Sequence, residues 1–397
     1  MREAPPVVRS TYEALSESDL RAVADRRADH LGLATSAPLV LPPTSDIAGL
    51  ILAVAGEIRA RDKALFECRS RNRRDDPRAY LGYLDEAVYI LPRLQGSLPT
   101  GRRGQEFDRR GLVYHRILPV QAAGIDIRLH PMSMVGPGSN GELTELVSAL
   151  FPQIEPTFVH DEDRSHIHVS ALANEEPLER CLVEQLAKLR GPCLTIVWPE
   201  LSLSPALLTI LRQRLASRAL DDTAGSFGFI VAGSWHEPEG DTFVNSAQIL
   251  DESGSTLFSV LKRERYQPEP GMLENIRPGT EVPVLIYGDV LVGFGICKDF
   301  CEDRHAIPFY DLDVDLIIVP SLGDEATLRA HEAAAERLSH GFGARSFVVQ
   351  QNLPGPGGTA AGWGGVVRPS ERPRAKAPRA SPQNKLVDHT RFSCTLS

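Results

Sequence analysis

The sequence predicts an α/β protein whose helices cover apolar strands, preceded by a longer and less regular N-terminal part. Two observations carry this. From about residue 165 onward, apolar strand-like runs alternate with amphipathic helical segments. Three of those runs end abruptly on residues that can do chemistry, in the order Glu200, Lys262 and Cys297.

The elements follow in order. Ser16-Glu-Ser18-Asp can cap a helix reaching about His30, and Ile47, Leu50, Ile51, Val54 and Ile58 recur at helical spacing. Leu81, Leu84, Val88 and Leu91 also fit one helix face, which predicts a helix over Tyr80 to Leu91 stopped by Pro92. A polar Gly- and Arg-rich stretch, Gly96 to Gly111, follows. Residues 112–160 mix short apolar runs with Pro and Gly and resist assignment. Then come a strand at His166–Leu172, a helix at Glu175–Arg190 closed by Gly191-Pro192, and a strand at Leu194–Trp198. A helix opens at Pro205, a position where proline is tolerated. Strands are expected at Phe227–Ala232, Phe243–Leu250, Ser255–Leu261, Val282–Tyr287, Val290–Ile296, Leu316–Val319 and Ser346–Gln350, with an Ala-rich helix at Glu325–Leu338. This reading divides the chain into an extension (1–160, largely helical at first), an α/β domain (161–370) and a basic Pro/Arg-containing tail (371–397).

Composition bounds the function. The chain has 397 residues, 42% hydrophobic and 24% charged, with a net charge of -9, which argues against nucleic acid as the main partner. The tail runs the other way, with Arg372, Arg374, Lys376, Arg379, Lys385 and Arg391 against Glu371 and Asp388, and reads as a solvated segment. The start lacks the apolar core of a signal peptide, and the longest apolar run, Ile47 to Ala55, is too short to span a bilayer. A cytoplasmic protein with six reduced cysteines is therefore expected.

Cysteine spacing supports no zinc site, because Cys297 and Cys301 have no second pair nearby. His166 and His168 share a strand face near His160, Asp161, Glu162 and Asp163, an arrangement that reads as ordinary strand residues more readily than as metal ligands. Gly355–Gly365 lacks the Gly-Lys-Ser/Thr of a phosphate loop, and Gly293-Phe-Gly295 lacks the third glycine of a dinucleotide fingerprint. No metal or cofactor is expected.

A cysteine at a strand end is exposed enough to attack a substrate, and the thiolate is its reactive form. A lysine can stabilise that thiolate and a developing oxyanion, and a glutamate can take the thiol proton. Each residue alone is weak, since a lone buried cysteine usually packs and a lone Pro-Glu usually turns. Together, Val197-Trp-Pro-Glu200, Val260-Leu-Lys262 and Gly295-Ile-Cys297-Lys-Asp299 resemble the three catalytic segments of the nitrilase, or carbon–nitrogen hydrolase, superfamily. Asp315–Ser321, Ala344–Asn352 and Gly362–Pro369 resemble later segments of that family, so the resemblance covers about residues 166–370.

The resemblance implies an α-β-β-α sandwich in a cofactor-free, homo-oligomeric hydrolase of non-peptide C–N bonds, with amides favoured over nitriles. Glu200 would be the general base, Lys262 the oxyanion stabiliser, Cys297 the nucleophile and the Lys298 backbone N–H a further oxyanion donor. Glu274 fits the family's second glutamate, with Glu269 its rival. The chain departs from the family at Lys298, at the segment after Asp299 and after Pro369. Those departures, and the unread first 160 residues, leave open a non-enzymatic module that binds a metabolite or a protein partner.

Overall fold

The computed structural model describes residues 47–70, 82–84, 88–92, 115–132, 145–301, 309–353, 364–367 and 390–393, with short gaps inside the longer spans. Two compact units divide between Val120 and Gln121. The first contains helix α1 (Ile47–Ser70) and an antiparallel three-stranded sheet of β1 (Gly82–Leu84), β2 (Val88–Pro92) and β3 (His115–Pro119). The helix expected over Tyr80–Leu91 is therefore a pair of strands. Tyr83, Val88, Tyr89 and Ile90 are aromatic or β-branched, and cross-strand pairing (Tyr83 opposite Tyr89) overrides the helical spacing. The expected helix at 16–30 lies outside the described residues.

The second unit is built on two seven-stranded sheets. The first sheet runs β11 (Trp235–Glu239), β12 (Thr242–Leu250), β10 (Phe227–Val231), β9 (Leu194–Val197), β6 (Glu145–Ser148) and β20 (Thr390–Ser393), with β13 (Thr256–Leu261) also paired to β12. The second runs β19 (Gly364–Val367), β18 (Arg345–Asn352), β17 (Leu316–Gly323), β16 (Val290–Phe294), β15 (Glu281–Tyr287), β5 (Ile125–Met132) and β4 (Gln121–Ala122). Their inner faces meet in one core. Val197, Phe229, Val231, Ile249 and Val260 come from the first sheet and Leu285, Val292, Phe294, Ile318 and Phe347 from the second.

Helices α2 (Glu175–Lys188) and α3 (Pro205–Arg218) cover the outer face of the first sheet through Leu178, Leu182, Leu207, Leu211 and Leu215. Helix α3 starts where the sequence indicates: the Ser204 hydroxyl accepts the Leu207 N–H and Pro205 opens the first turn. Helix α5 (Glu325–Phe342) packs on β17 and β18 of the second sheet. The layers are thus α-β-β-α.

Two further features differ from the sequence expectation. Residues 121–160, read as part of the extension, supply β4, β5 and β6 to the two large sheets. β6 and β9 run parallel as neighbours, whereas His166–Leu172 (β8) lies in a separate small sheet with β7 (Pro156–His160) and β14 (Leu273–Glu274). Within the basic tail, Thr390–Ser393 is a strand paired to β6. β4, β6 and β20 have two to four residues each, and strands that short carry little local signal.

Candidate functional site

Glu200 stands at the end of an apolar strand. Leu194–Val197 and Trp198 are fully buried, and the chain then turns through Pro199 into Leu201, whose φ is +52. The turn is held from two sides. Ser202 Oγ donates to the Pro199 carbonyl at 2.7 Å, and the Leu201 N–H donates to Ser234 Oγ at 3.3 Å. Gly233 completes the cradle: its φ is +54, and a Cβ there would stand 2.4 Å from Pro199 O. Gly233→Ala is expected to cost about 2–3 kcal/mol, from left-handed backbone strain and the clash, and to lower turnover more than it lowers stability because the displaced carbonyl precedes Glu200. Thermal unfolding and steady-state kinetics check this; unchanged kinetics would detach Gly233 from the site.

Lys262 follows β13, and its backbone is tied on both sides: its N–H donates to Asn245 O at 2.9 Å, and its carbonyl accepts the Gly279 N–H at 2.9 Å. The side chain runs inward and is 2% exposed. Its ammonium donates to Glu200 Oε1 at 2.8 Å and to Glu274 Oε2 at 2.7 Å. Asn245 Nδ2 bridges the same carboxylates, 3.0 Å from Glu200 Oε1 and 3.0 Å from Glu274 Oε1. Glu274 Oε1 also meets His236 Nε2 at 2.8 Å. The Val169 N–H donates to His236 Nδ1 at 2.8 Å, so Nδ1 is an acceptor and Nε2 carries the proton toward Glu274.

Cys297 occupies an elbow between β16 and the short helix α4 (Lys298–Cys301), with φ +47, a conformation a non-glycine residue rarely adopts. Asp299 explains the Cys-x-Asp spacing. Its carboxylate accepts the Ile296 N–H at 3.0 Å, fixing the elbow, and the Arg263 and Glu264 N–H groups at 2.9 and 2.8 Å, tying the elbow to the segment that carries Lys262. The thiol and Glu200 converge on one residue: Cys297 Sγ lies 3.6 Å from Leu322 O, while Glu200 Oε2 accepts the Leu322 N–H at 3.0 Å.

Two carboxylates therefore share one ammonium beside a thiol. Burial opposes the charge on Lys262, but Glu200 and Glu274 outweigh it and hold the ammonium well above its ordinary 10.5. Burial likewise opposes the Glu274 carboxylate, yet Lys262 and His236 hold it well below its ordinary 4.5. Burial first, then the Glu200 charge, push the Cys297 thiol well above its ordinary 9.0, and Lys262 only partly offsets them. The resting sulfur is a thiol.

These shifts give a stability window. The Glu274 contribution is complete above about pH 4.5 and is lost as pH falls through its lowered value; the Lys262 contribution is complete below about pH 10.5 and is lost as pH rises through its raised value. Replacing Glu274 by Gln is expected to flatten the acid limb, which melting temperatures measured across acid pH will show.

The structure thus brings together Glu200, Lys262, Cys297 and Glu274, four residues singled out from the sequence. Glu269 is exposed, its backbone carbonyl accepting the Met272 N–H. Lys298 Nζ donates to Arg265 O at 3.0 Å. Trp198 is buried and donates to Gln185 Oε1 at 3.0 Å. His168 stacks on Phe243 with ring centroids 4.0 Å apart, and His166 pairs with Asp161 at 2.9 Å. Among the described residues, no group of three or more His, Cys, Asp or Glu is placed to hold a metal, and no helix is long and apolar enough to cross a membrane. Sequence reasoning missed Asn245 and His236. Neither stands out locally, because the hairpin Trp235–Leu250 also carries Glu237, Glu239, Asp241, Thr242, Ser246 and Gln248.

No family model and no curated protein matches the chain. Solved structures do. An amidase from Nesterenkonia sp. is 19% identical over 66% of this chain and 93% of its own, with a TM-score of 0.40. A Cys-to-Ala mutant of the amidase from Nesterenkonia sp. AN1, in complex with butyramide, is 20% identical over 66% of this chain and 94% of its own, with a TM-score of 0.39. A CN-hydrolase superfamily protein from Xanthomonas campestris, with an arsenic adduct in its active site, is 15% identical over 64% of this chain and 91% of its own, with a TM-score of 0.40.

Proposed function

We propose that the second unit is a cysteine-dependent hydrolase of non-peptide carbon–nitrogen bonds, of the nitrilase superfamily, acting on a small amide. The observation that carries the reading is the convergence of the Glu200 and Glu274 carboxylates on the Lys262 ammonium beside Cys297, the thiol held on a strained elbow.

The residue roles follow from the donors and acceptors present. Glu200 Oε1 is occupied by Lys262 and Asn245, while Oε2 is oriented by Leu322 N–H and keeps a lone pair for the thiol proton. As Glu200 takes that proton, Cys297 Sγ bonds to the amide carbon and the carbonyl oxygen becomes an oxyanion. An ammonium has three N–H donors; Lys262 gives one to each carboxylate, leaving one for the oxyanion together with the Lys298 backbone N–H. The C–N bond then breaks, Glu200 returns the proton to the leaving amine, and a thioester remains. Glu200 next deprotonates a water, which attacks the thioester carbon; the C–S bond breaks, the acid is released, and Glu200 returns the proton to the Cys297 sulfur. Glu274, fixed by His236 and by the Tyr266 N–H at 2.9 Å, anchors Lys262. A raised thiol suits this sequence, because proton loss then accompanies attack.

The resemblance extends the proposal to a homo-oligomer. One observation favours the second reading, a binding module: Cys297 is only 4% exposed. Ammonia release from a panel of aliphatic amides and the matching nitriles decides between them. Release from amides supports the amidase. Release from nitriles alone moves the activity to a nitrilase, and no release with a folded protein favours the module.

A further inference from the structure

Cys297 is fastened to β17 on both sides of Ser321. Its N–H donates to Pro320 O at 2.9 Å, and its sulfur lies 3.6 Å from Leu322 O. Ser321, fully buried, lies between these two contact points, and its hydroxyl favours the Cys297 thiolate. Behind it, His331 reaches in from α5, fully buried, with Nε2 2.9 Å from Ser321 Oγ. None of the roles assigned above uses Ser321 or His331.

Proton placement gives this arrangement a direction. Burial alone holds the His331 imidazole down at about 3, so it is neutral and carries one N–H. Its Nδ1 has no partner among the described residues. A buried N–H left unpaired is rarer than a buried lone pair left unpaired, so the proton belongs on Nε2, pointing at Ser321. Ser321 Oγ then accepts from His331, and its own hydrogen is available to the sulfur. The competing acceptor, Gln350 Oε1, stands off at 3.5 Å. Other groups facing the thiol are Glu200 after β9 and Cys301 on α4, which disfavour the thiolate, Lys262 after β13, which favours it, and Tyr266, whose ionisation the Cys297 charge opposes.

We propose that His331 and Ser321 form a one-way hydrogen-bond chain that donates to the Cys297 thiolate, making both positioning residues for the nucleophile. The proposal rests on Cys297 being that nucleophile. Because His331 stays neutral, the chain supplies a donor without adding a charge that titrates near neutral pH. It gives the anionic sulfur a donor besides Lys262, which Glu200 and Glu274 already engage.

Alkylation of Cys297 by iodoacetamide, mapped by peptide mass between about pH 6 and 10, needs no turnover and tests the chain directly. Ser321→Ala is expected to move the rate profile upward, slowing alkylation at fixed pH about tenfold, the worth of a hydrogen bond to a charged group. His331→Leu is expected to move it the same way. His331→Gln, whose amide can still donate to Ser321, stays within about threefold of the wild type. Coincident profiles for wild type and Ser321→Ala, or for wild type and His331→Leu, overturn the proposal while leaving the hydrolase reading intact. A wild-type Cys297 that never alkylates overturns both. Long-range nitrogen NMR on the wild type decides even where a variant fails to fold: an Nε2–H tautomer at His331 supports the chain, and an Nδ1–H tautomer overturns it.

Discussion

Cys297→Ala is expected to abolish amide turnover, by at least about 10⁴-fold, while leaving the fold in place. The substitution removes the thiol that stands beside Glu200 and Lys262, and neither of those two residues can replace it as nucleophile at this position. Stability should change little. Alanine keeps the +47 φ of the elbow, so backbone strain is the same in both proteins, and the backbone bond from residue 297 to Pro320 O is retained. Asp299 continues to accept the Ile296, Arg263 and Glu264 N–H groups, so the elbow stays tied to the lysine segment. Ammonia release and circular dichroism on the same samples check both halves. Undiminished turnover in a folded Cys297→Ala protein would remove the thiol from the chemistry.

Lys262→Met is expected to damage stability as well as activity. The ammonium is the only cation shown bonding to Glu200 or Glu274 among the described residues, and all three side chains are 4% exposed or less. Without it, two buried carboxylates face each other across Asn245. Breaking a buried ion pair from one side costs about 3–5 kcal/mol, which corresponds to a melting temperature lower by about 10 °C at neutral pH. The sign of the pH dependence should also reverse. In the wild type Glu274 is held below its ordinary value, so acid removes stability. In the variant the unpaired carboxylates bind protons more tightly in the folded state than in the unfolded one, so mild acid restores stability. Turnover should fall by about 10²–10³-fold or more through loss of the oxyanion donor. Melting curves between about pH 3 and 8 report the reversal. A melting temperature and pH slope matching the wild type would mean that Lys262 does not hold the two glutamates.

The four clustered residues were legible because each ends or adjoins an element with a strong local pattern. Leu194–Val197 before Glu200 and Val290–Phe294 before Cys297 are continuous buried runs, which mark strands covered on both faces. Glu274 is a weaker case, since its strand, β14, has only two residues and pairs with β8. The resemblance to the family's second glutamate is what singled it out. Asn245 and His236 were not legible because their roles depend on the β11–β12 hairpin, which sets Asn245 opposite His236. Ser321 and His331 were hidden for a similar reason: they are ten residues apart and meet only because α5 folds back over β17. In the first unit the spacing of Leu81, Leu84, Val88 and Leu91 pointed to a helix, and strand pairing prevailed. Local spacing is a sound guide only where burial follows the same period.

The central claim is that Cys297 forms a covalent acyl intermediate. Intact-mass spectrometry of acid-quenched mixtures with the amide panel tests it most directly, with wild type and Cys297→Ala run in parallel. The wild type should gain the mass of the acyl group, on the peptide containing Cys297, and Cys297→Ala should gain none. Turnover without an adduct on the wild type, or an adduct that persists on Cys297→Ala, would contradict the account.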